Sequence, residues 1–362
     1  MPDPWGRLTS PGELAATFWH FAARRCGDYA PLYARLGTGI AGDRELLSIA
    51  AHAPPGQSPP DLMLAAVHYL LRSDPAHPLA RHYPTLTPTP AASDPVPLFR
   101  SFCLERRDQL ETVITTRRVQ TNEVRRCCYV LPAVMLAAHL AARPLALIEG
   151  GASAGLNLNI DRYAYDYGTG SIFGNPSSPL VLPCHLRGRH HPPLHLPSPV
   201  IGWRAGIDLH PLDPASPADA AWLRALVWAD HPQRARLLDH ALAETRSHPP
   251  VMVRAGDAAE RLPGLIAAAP TGMTVCLFHT AFLAHLPKLD RERFEHLVVV
   301  LSAARPIYWI QAEPRPNPTD PRLRLTLCED GCVTRQWPLG HYHPHGEWLE
   351  WLATQAVAQH LA

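Results

Sequence analysis

Lysine is almost missing from this chain: Lys288 is the only one, and every other basic residue is arginine. Asparagine is nearly as scarce, confined to Asn122, Asn157, Asn159, Asn175 and Asn317. With 40 prolines, these shortages read as a GC-rich coding bias rather than as a functional signal. An excess of charge is lacking too. The formal net charge is +1, from 33 basic and 32 acidic residues, which is not the basic footprint of a nucleic-acid binder. The opening "MPDPWGRLTS" has neither the basic nor the apolar part of a secretory signal. No apolar run reaches membrane length. "VLPAVMLAAHLAARPLALI" comes nearest and is broken by His139, Arg143 and two prolines. Eight cysteines without such a signal read as reduced thiols, and Cys127-Cys128 and Cys328-x3-Cys332 lack a second pair at zinc-site spacing. The expectation is a cytoplasmic protein that handles a small molecule, with no nucleic-acid, membrane or metal partner. Its oligomeric state is left open.

What is present is a change of texture near Leu145. Before it, segments such as "GELAATFWHFAARRC" and "PDLMLAAVHYLLRS" carry apolar residues at helical spacing, and a further helix is expected from about Asn122 to Arg143. After it, short β-branched runs alternate with helical ones. "LALIE", "IGWRAGIDL", "PVMVRAGD", "MTVCLFHT" and "PIYWIQAE" read as strands, followed by a hairpin across Asp330-Gly331. Strand and helix in series predict an α/β fold with a mostly parallel sheet and helices on both faces. The boundaries expected are residues 1–118 for an all-helical N-terminal lid or substrate domain, and 119–362 for the sheet domain.

"LALIEGGASAG", Leu145 to Gly155, carries the strongest chemistry signal and admits two readings. Gly151-Ala152-Ser153-Ala154-Gly155 fits the G-x-S-x-G turn of a serine hydrolase, with Ser153 as nucleophile and His279 or His345 as base. The same residues, after Glu149, also fit the glycine-rich loop that ends the first strand of a cofactor-binding sheet. A hydrolase elbow follows earlier sheet strands, whereas this loop follows the first recognisable one. A dinucleotide loop wants a second glycine where Ala152 stands, and a carboxylate beside a pyrophosphate is repulsive. A cationic cofactor would instead suit Glu149.

From Glu149 to about Trp337 the order of features resembles a class I S-adenosylmethionine-dependent methyltransferase. In that family an acid-x-glycine loop ends the first strand, an acid ending the second binds ribose, and an acid after the third contacts adenine. The resemblance implies a Rossmann-like, methyltransferase-type sheet with S-adenosylmethionine as cofactor. It implies Glu149, Gly151, Ser153, Gly155, Asn157, Asp208 and Asp257 as the residues that bind it. Glu149 and Asp208 stand much further apart than the ~20 residues of a nucleotide-binding βαβ unit, which places an insertion at about residues 159–200. At finer grain, "QTNEVRRC", "GASAGLNLNIDRYAYDYG", "GIDLHPLD", "WLRALVWADHPQR", "GDAAERLP" and "HGEWLEWL" are similar to blocks of a bacterial family known as domain of unknown function 2332.

The remaining candidates are catalytic or substrate-binding. His279, ending the fourth strand, suits a general base near neutral pH. Gln120, Asn122, Glu123 and Arg125 open the helix that leads into the first strand; there they line a pocket or merely cap the helix. Tyr163 heads a tyrosine stripe that packs or stacks on substrate. His341, His343 and His345 lie near Glu347. Whether that tract sits at the pocket depends on strand direction: an antiparallel penultimate strand brings His345 to the pocket end. Three functions therefore stand: methyl transfer to an unknown acceptor, serine hydrolysis, and non-catalytic nucleoside binding.

Overall fold

The computed structural model describes residues 10–315, 317 and 319–353. Contacts divide the chain into two units: Met1–Thr121 with Ala215–Asp239, and Asn122–Pro214 with His240–Ala362. The helices, in chain order, are α1 (Pro11–His20), α2 (Pro31–Ala41), α3 (Arg44–Ala50), α4 (Pro59–Arg72), α5 (Val96–Glu105), α6 (Arg107–Thr116), α7 (Cys127–Ala141), α8 (Pro217–Leu226), α9 (Pro232–Arg246), α10 (Ala258–Ala268) and α11 (Lys288–Leu301). The strands are β1 (Leu145–Gly150), β2 (Ala164–Asp166), β3 (Ile172–Gly174), β4 (Val181–Pro183), β5 (His185–Arg187), β6 (Ile201–Asp208), β7 (Met252–Ala255), β8 (Thr274–Thr280), β9 (Ile307–Ala312), β10 (Leu323–Glu329), β11 (Cys332–Tyr342) and β12 (Trp348–Trp351).

The first unit holds α1 to α6, α8 and the start of α9. Its helices begin where the sequence supplies caps. Ser10 and Glu13 form a reciprocal capping box on α1, while Asp43, Ser58 and Ser216 cap α3, α4 and α8. Each cap satisfies N–H groups that a helix start leaves unpaired. Residues 215–239 were expected beside the sheet, as part of domain 119–362. They join the helical unit instead, for visible reasons. Asp230 accepts the backbone N–H groups of Leu32 (2.8 Å) and Tyr33 (3.2 Å) at the start of α2. Arg117 pairs with Asp219 at 2.6 Å, and the Trp222 indole donates to the Arg118 carbonyl at 2.9 Å.

The second unit is built on a nine-stranded sheet of order β5-β12-β11-β10-β9-β8-β1-β6-β7. Strands β7, β6, β1, β8 and β9 run parallel, and β10, β11 and β12 alternate direction beyond them. The expected α/β class with a mostly parallel sheet is therefore observed. Ala146, Ile148, Ala205, Ile207, Val275, Leu277 and Trp309 face Leu262 and Ile266 of α10 and Phe294 and Val298 of α11. Helix α7 packs against β8, β9 and β10 from the other face. The stretch Val124–Ala141 is long and apolar enough to cross a membrane, and 72% of it is buried within the fold. No α-helix joins β1 to β6. A 3-10 segment, Leu156–Arg162, and the small sheet β3-β2-β4 fill that connection.

Two details set the carboxyl edge of the sheet. The helix expected from Asn122 starts only at Cys127, after a 3-10 turn at Val124–Arg126. The Asn122 side chain is drawn away to the Ser153 loop, and Glu123 caps the 3-10 turn by accepting the Arg125 N–H. The second detail is strand direction. The β10–β11 hairpin turns through Asp330 and Gly331, both at positive φ, as a two-residue turn of primed type requires. Because β10 is antiparallel, β11 returns His341, His343 and His345 to the same edge as the ends of β1 and β8. There Gly346 (φ +71°) lies against the Arg125 carbonyl, 2.1 Å from where a Cβ would stand. Gly346→Ala is expected to cost more than ~2 kcal/mol, from strain and clash together. Denaturant unfolding of the purified variant measures the loss.

Candidate functional site

The loop after β1 lies where the chain order reverses, between β1 and β8, the usual ligand position in an open parallel sheet. Its backbone donors are all engaged. Gly151 and Ala152 donate to the Ile207 carbonyl at 2.8 and 3.0 Å, and Gly155 donates to Ala152 at 2.7 Å. Ser153 donates to Asp208 Oδ2 at 2.8 Å, and Ala154 to Asn122 Oδ1 at 3.4 Å. The Asn122 amide also donates to Ser153 Oγ. Ser153 is 5% exposed and sits at φ +51°, a conformation L-residues rarely adopt. Gly151 is required by close approach. A side chain there would meet the Phe282 ring at 2.9 Å.

Strand alternation sends the two chemical candidates to opposite faces. Glu149 points away from the α10/α11 core, towards α7. It is 1% exposed; Oε1 accepts the Asn157 amide at 3.2 Å, and Oε2 has no hydrogen-bond partner. Burial pushes its carboxyl up to about 8, and the charge of Asp208 adds to this. The Asn157 hydrogen bond and the charge of Arg126 pull the other way. Glu149 is therefore mostly protonated at neutral pH.

His279 faces the core of α10 and α11, and there the expectation of a general base fails. It is 0% exposed and both ring nitrogens are taken. Nδ1 donates to Glu313 Oε1 at 2.6 Å, and the Trp309 indole donates to Nε2 at 3.0 Å. An imidazole so held has no lone pair for a substrate proton. Glu313 also accepts the backbone N–H groups of Phe282 (2.8 Å), Leu283 (3.1 Å) and Ala284 (3.2 Å). Burial pushes its carboxyl up, but these bonds outweigh burial and hold it below the usual value. His279 and Glu313 thus fix the loop that carries Phe282.

That loop forms one wall of a solvent-open cleft at the ends of β6, β7 and β8. Ile207, Asp208 and Leu209 line it from β6, and Asp257, Ala258 and Ala259 from the start of α10. Phe282, Leu286, Asp290, Arg293 and Phe294 complete it. Asp208 Oδ1 accepts the His210 N–H and Asp257 Oδ1 accepts those of Ala259 and Glu260, all at 2.8–3.2 Å. A carboxylate has about four lone-pair directions, so both acids keep acceptor capacity for a ligand.

A second polar group gathers under the β11–β12 turn. Buried Glu123 accepts the Arg125 N–H at 3.3 Å, and its Oε2 stands 3.9 Å from His345 Nδ1. Arg125 pairs with Glu347 at 3.2 Å. Arg126 donates to the Thr280 carbonyl and hydroxyl, both at 3.1 Å, and to the Pro344 carbonyl at 3.3 Å. Among the described residues, no three His, Cys, Asp or Glu side chains are gathered as metal ligands.

Of the expected site residues, the structure brings Asn122, Glu149, Ser153, Asn157 and Asp208 together, with Asp257 across the cleft. Gln120 belongs to the first unit. Tyr163 is not open to substrate: it is fully buried, and its hydroxyl donates to the Leu156 carbonyl at 2.7 Å. Tyr165 and Tyr167 are pinned alike, to Ile160 and Cys128. Arg126, Phe282, Leu286, Arg293 and the role of Glu313 are not foreshadowed by any motif. Only Glu313 carried a local signal, as an acid ending a strand.

The protonated state of Glu149 sets a pH dependence. Its folded value lies above the ordinary 4.5, so its contribution to stability is full below pH 4.5 and is lost as pH rises through about 8. Glu149→Gln, which keeps the shape without the titration, is expected to flatten that fall. Its Tm should exceed the wild-type value by a few degrees at pH 9 and match it near pH 5. Thermal melts across this range check both ends.

No curated protein and no solved structure matches the chain. A family model described as an uncharacterized protein conserved in bacteria matches residues 15–351. The chain belongs to that family, DUF2332.

Proposed function

We propose that the second unit is a Rossmann-like, methyltransferase-type domain that binds S-adenosylmethionine and transfers its methyl group to a small acceptor. The observation that carries this reading is the cleft bounded by Asp208 and Asp257, the acids that end β6 and open α10. Acceptor oxygens there suit ribose hydroxyls and an exocyclic amine, and Phe282 and Leu286 suit the flat face of a base. Glu149 tests the fit of a cationic group. A buried carboxyl with one unpartnered oxygen costs free energy by itself, and an ammonium or sulfonium would relieve it.

Residues 149–155, with Asp208 and Asp257, would hold the cofactor, which supplies an activated methyl group when bound. The chain's own contribution is placement. Phe282 shields the loop from water, and Asn122 and Asp208 keep the loop in one conformation. Positioning of this kind can supply much of a transfer rate. Glu123 and His345 stand at the same sheet edge as candidates to orient an acceptor.

Calorimetric titration tests it. S-adenosylmethionine and its demethylated product are expected to bind, and Asp208→Ala to weaken binding at least tenfold. Repeating the titration near pH 7 in buffers of different ionisation enthalpy should reveal release of up to about one proton as Glu149 ionises against the cation. No heat from either ligand at millimolar concentration, with Asp208→Ala indistinguishable, would overturn the reading.

A further inference from the structure

We infer that the glycine-rich loop is closed to phosphate by Asn122 and Asp208, so that the site accepts phosphate-free nucleosides and refuses nucleotides. The nucleoside half rests on the function proposed above; the refusal rests on loop geometry. A loop that cradles phosphate presents a run of unspent backbone N–H groups to the anion. Here none from Gly151 to Gly155 is unspent. Main-chain carbonyls take three of the five. Side chains take the other two: Asp208 Oδ2 holds Ser153, and Asn122 Oδ1 holds Ala154.

Asn122 is the more decisive of the pair. One carboxamide accepts from Ala154 and donates to Ser153 Oγ, so it covers the loop where an anion would sit. The Ala154 bond, at 3.4 Å, is the longest of the five and the one a ligand would capture most easily. Charge adds to the refusal. Asp208, Asp257 and Asp290 line the cleft against Arg293 alone. A pyrophosphate placed at the loop would find every backbone donor taken, and beside it three carboxylates against one guanidinium. The discrimination thus works by occupying the donors in advance, at no cost to a ligand without phosphate.

The test compares adenosine, adenosine diphosphate and inorganic pyrophosphate on the full chain by calorimetry. Wild type is expected to bind adenosine at least tenfold tighter than the diphosphate and to ignore pyrophosphate. Asn122→Ala removes the acceptor and should shift the diphosphate-to-adenosine affinity ratio about tenfold towards the diphosphate. Asn122→Asp keeps an acceptor and should restore the wild-type ratio, which a loss of folding alone would not do. An unchanged ratio in folded Asn122→Ala, or equal ratios in the two variants, overturns the inference. Should Asn122→Ala not fold, amide NMR of the wild type decides: pyrophosphate that shifts the Ser153 or Ala154 resonances overturns it, and silence there supports it. Adenosine that fails to bind counts against the nucleoside site alone, since the pyrophosphate arm reads the loop directly.

Discussion

A carboxylate taken out of water needs a counter-charge, hydrogen bonds or a proton. The carboxyl edge of this sheet is organised by how each buried or half-buried acid meets that need. Glu313 takes hydrogen bonds from His279 and three backbone N–H groups. Asp208 takes two from backbone. Glu123 sits among Arg125 and His345. Glu149 takes one amide and, for the rest, a proton. The first three solutions lock loops in place. The fourth leaves a carboxyl held neutral by burial, with one oxygen unpartnered.

These solutions are coupled through the backbone. The Glu313 bonds aim Phe282 over Gly151, and Phe282 is also a wall of the cleft. Asp208 belongs both to the cleft and to the glycine-rich loop. A change at either acid is therefore felt on both sides of the switch point. Arg126 ties the start of α7 to the ends of β8 and β11, which keeps the opposite face of the same edge in register.

Much of this edge was legible in the sequence because strand ends and turns are local features. The acids at Glu149, Asp208 and Asp257 each close a short apolar run, and the glycine-rich loop follows the first of them. What stayed hidden depends on partners far along the chain. His279 looked like a base because Glu313 and Trp309, each some thirty residues on, were not visible as its neighbours. Asn122 stands out in the sequence as a scarce residue type at a helix start, but its reach to Ser153 does not. The helix at 217–226 has an ordinary amphipathic pattern, and nothing in its period says which unit it will join. The tyrosine stripe showed its period correctly and its role poorly, since burial of the phenols rests on carbonyls that periodicity does not report.

The return of residues 215–239 has a consequence for the order in which the protein is made. The chain passes between units near residues 121, 214 and 239, so the helical unit stays incomplete through the synthesis of β1 and β6. Until Asp230 emerges, the start of α2 has no acceptor for the Leu32 and Tyr33 N–H groups. Until Trp222 emerges, the Arg118 carbonyl lacks its donor. A ribosome that stalls before residue 215 therefore carries two unfinished units rather than one finished and one pending.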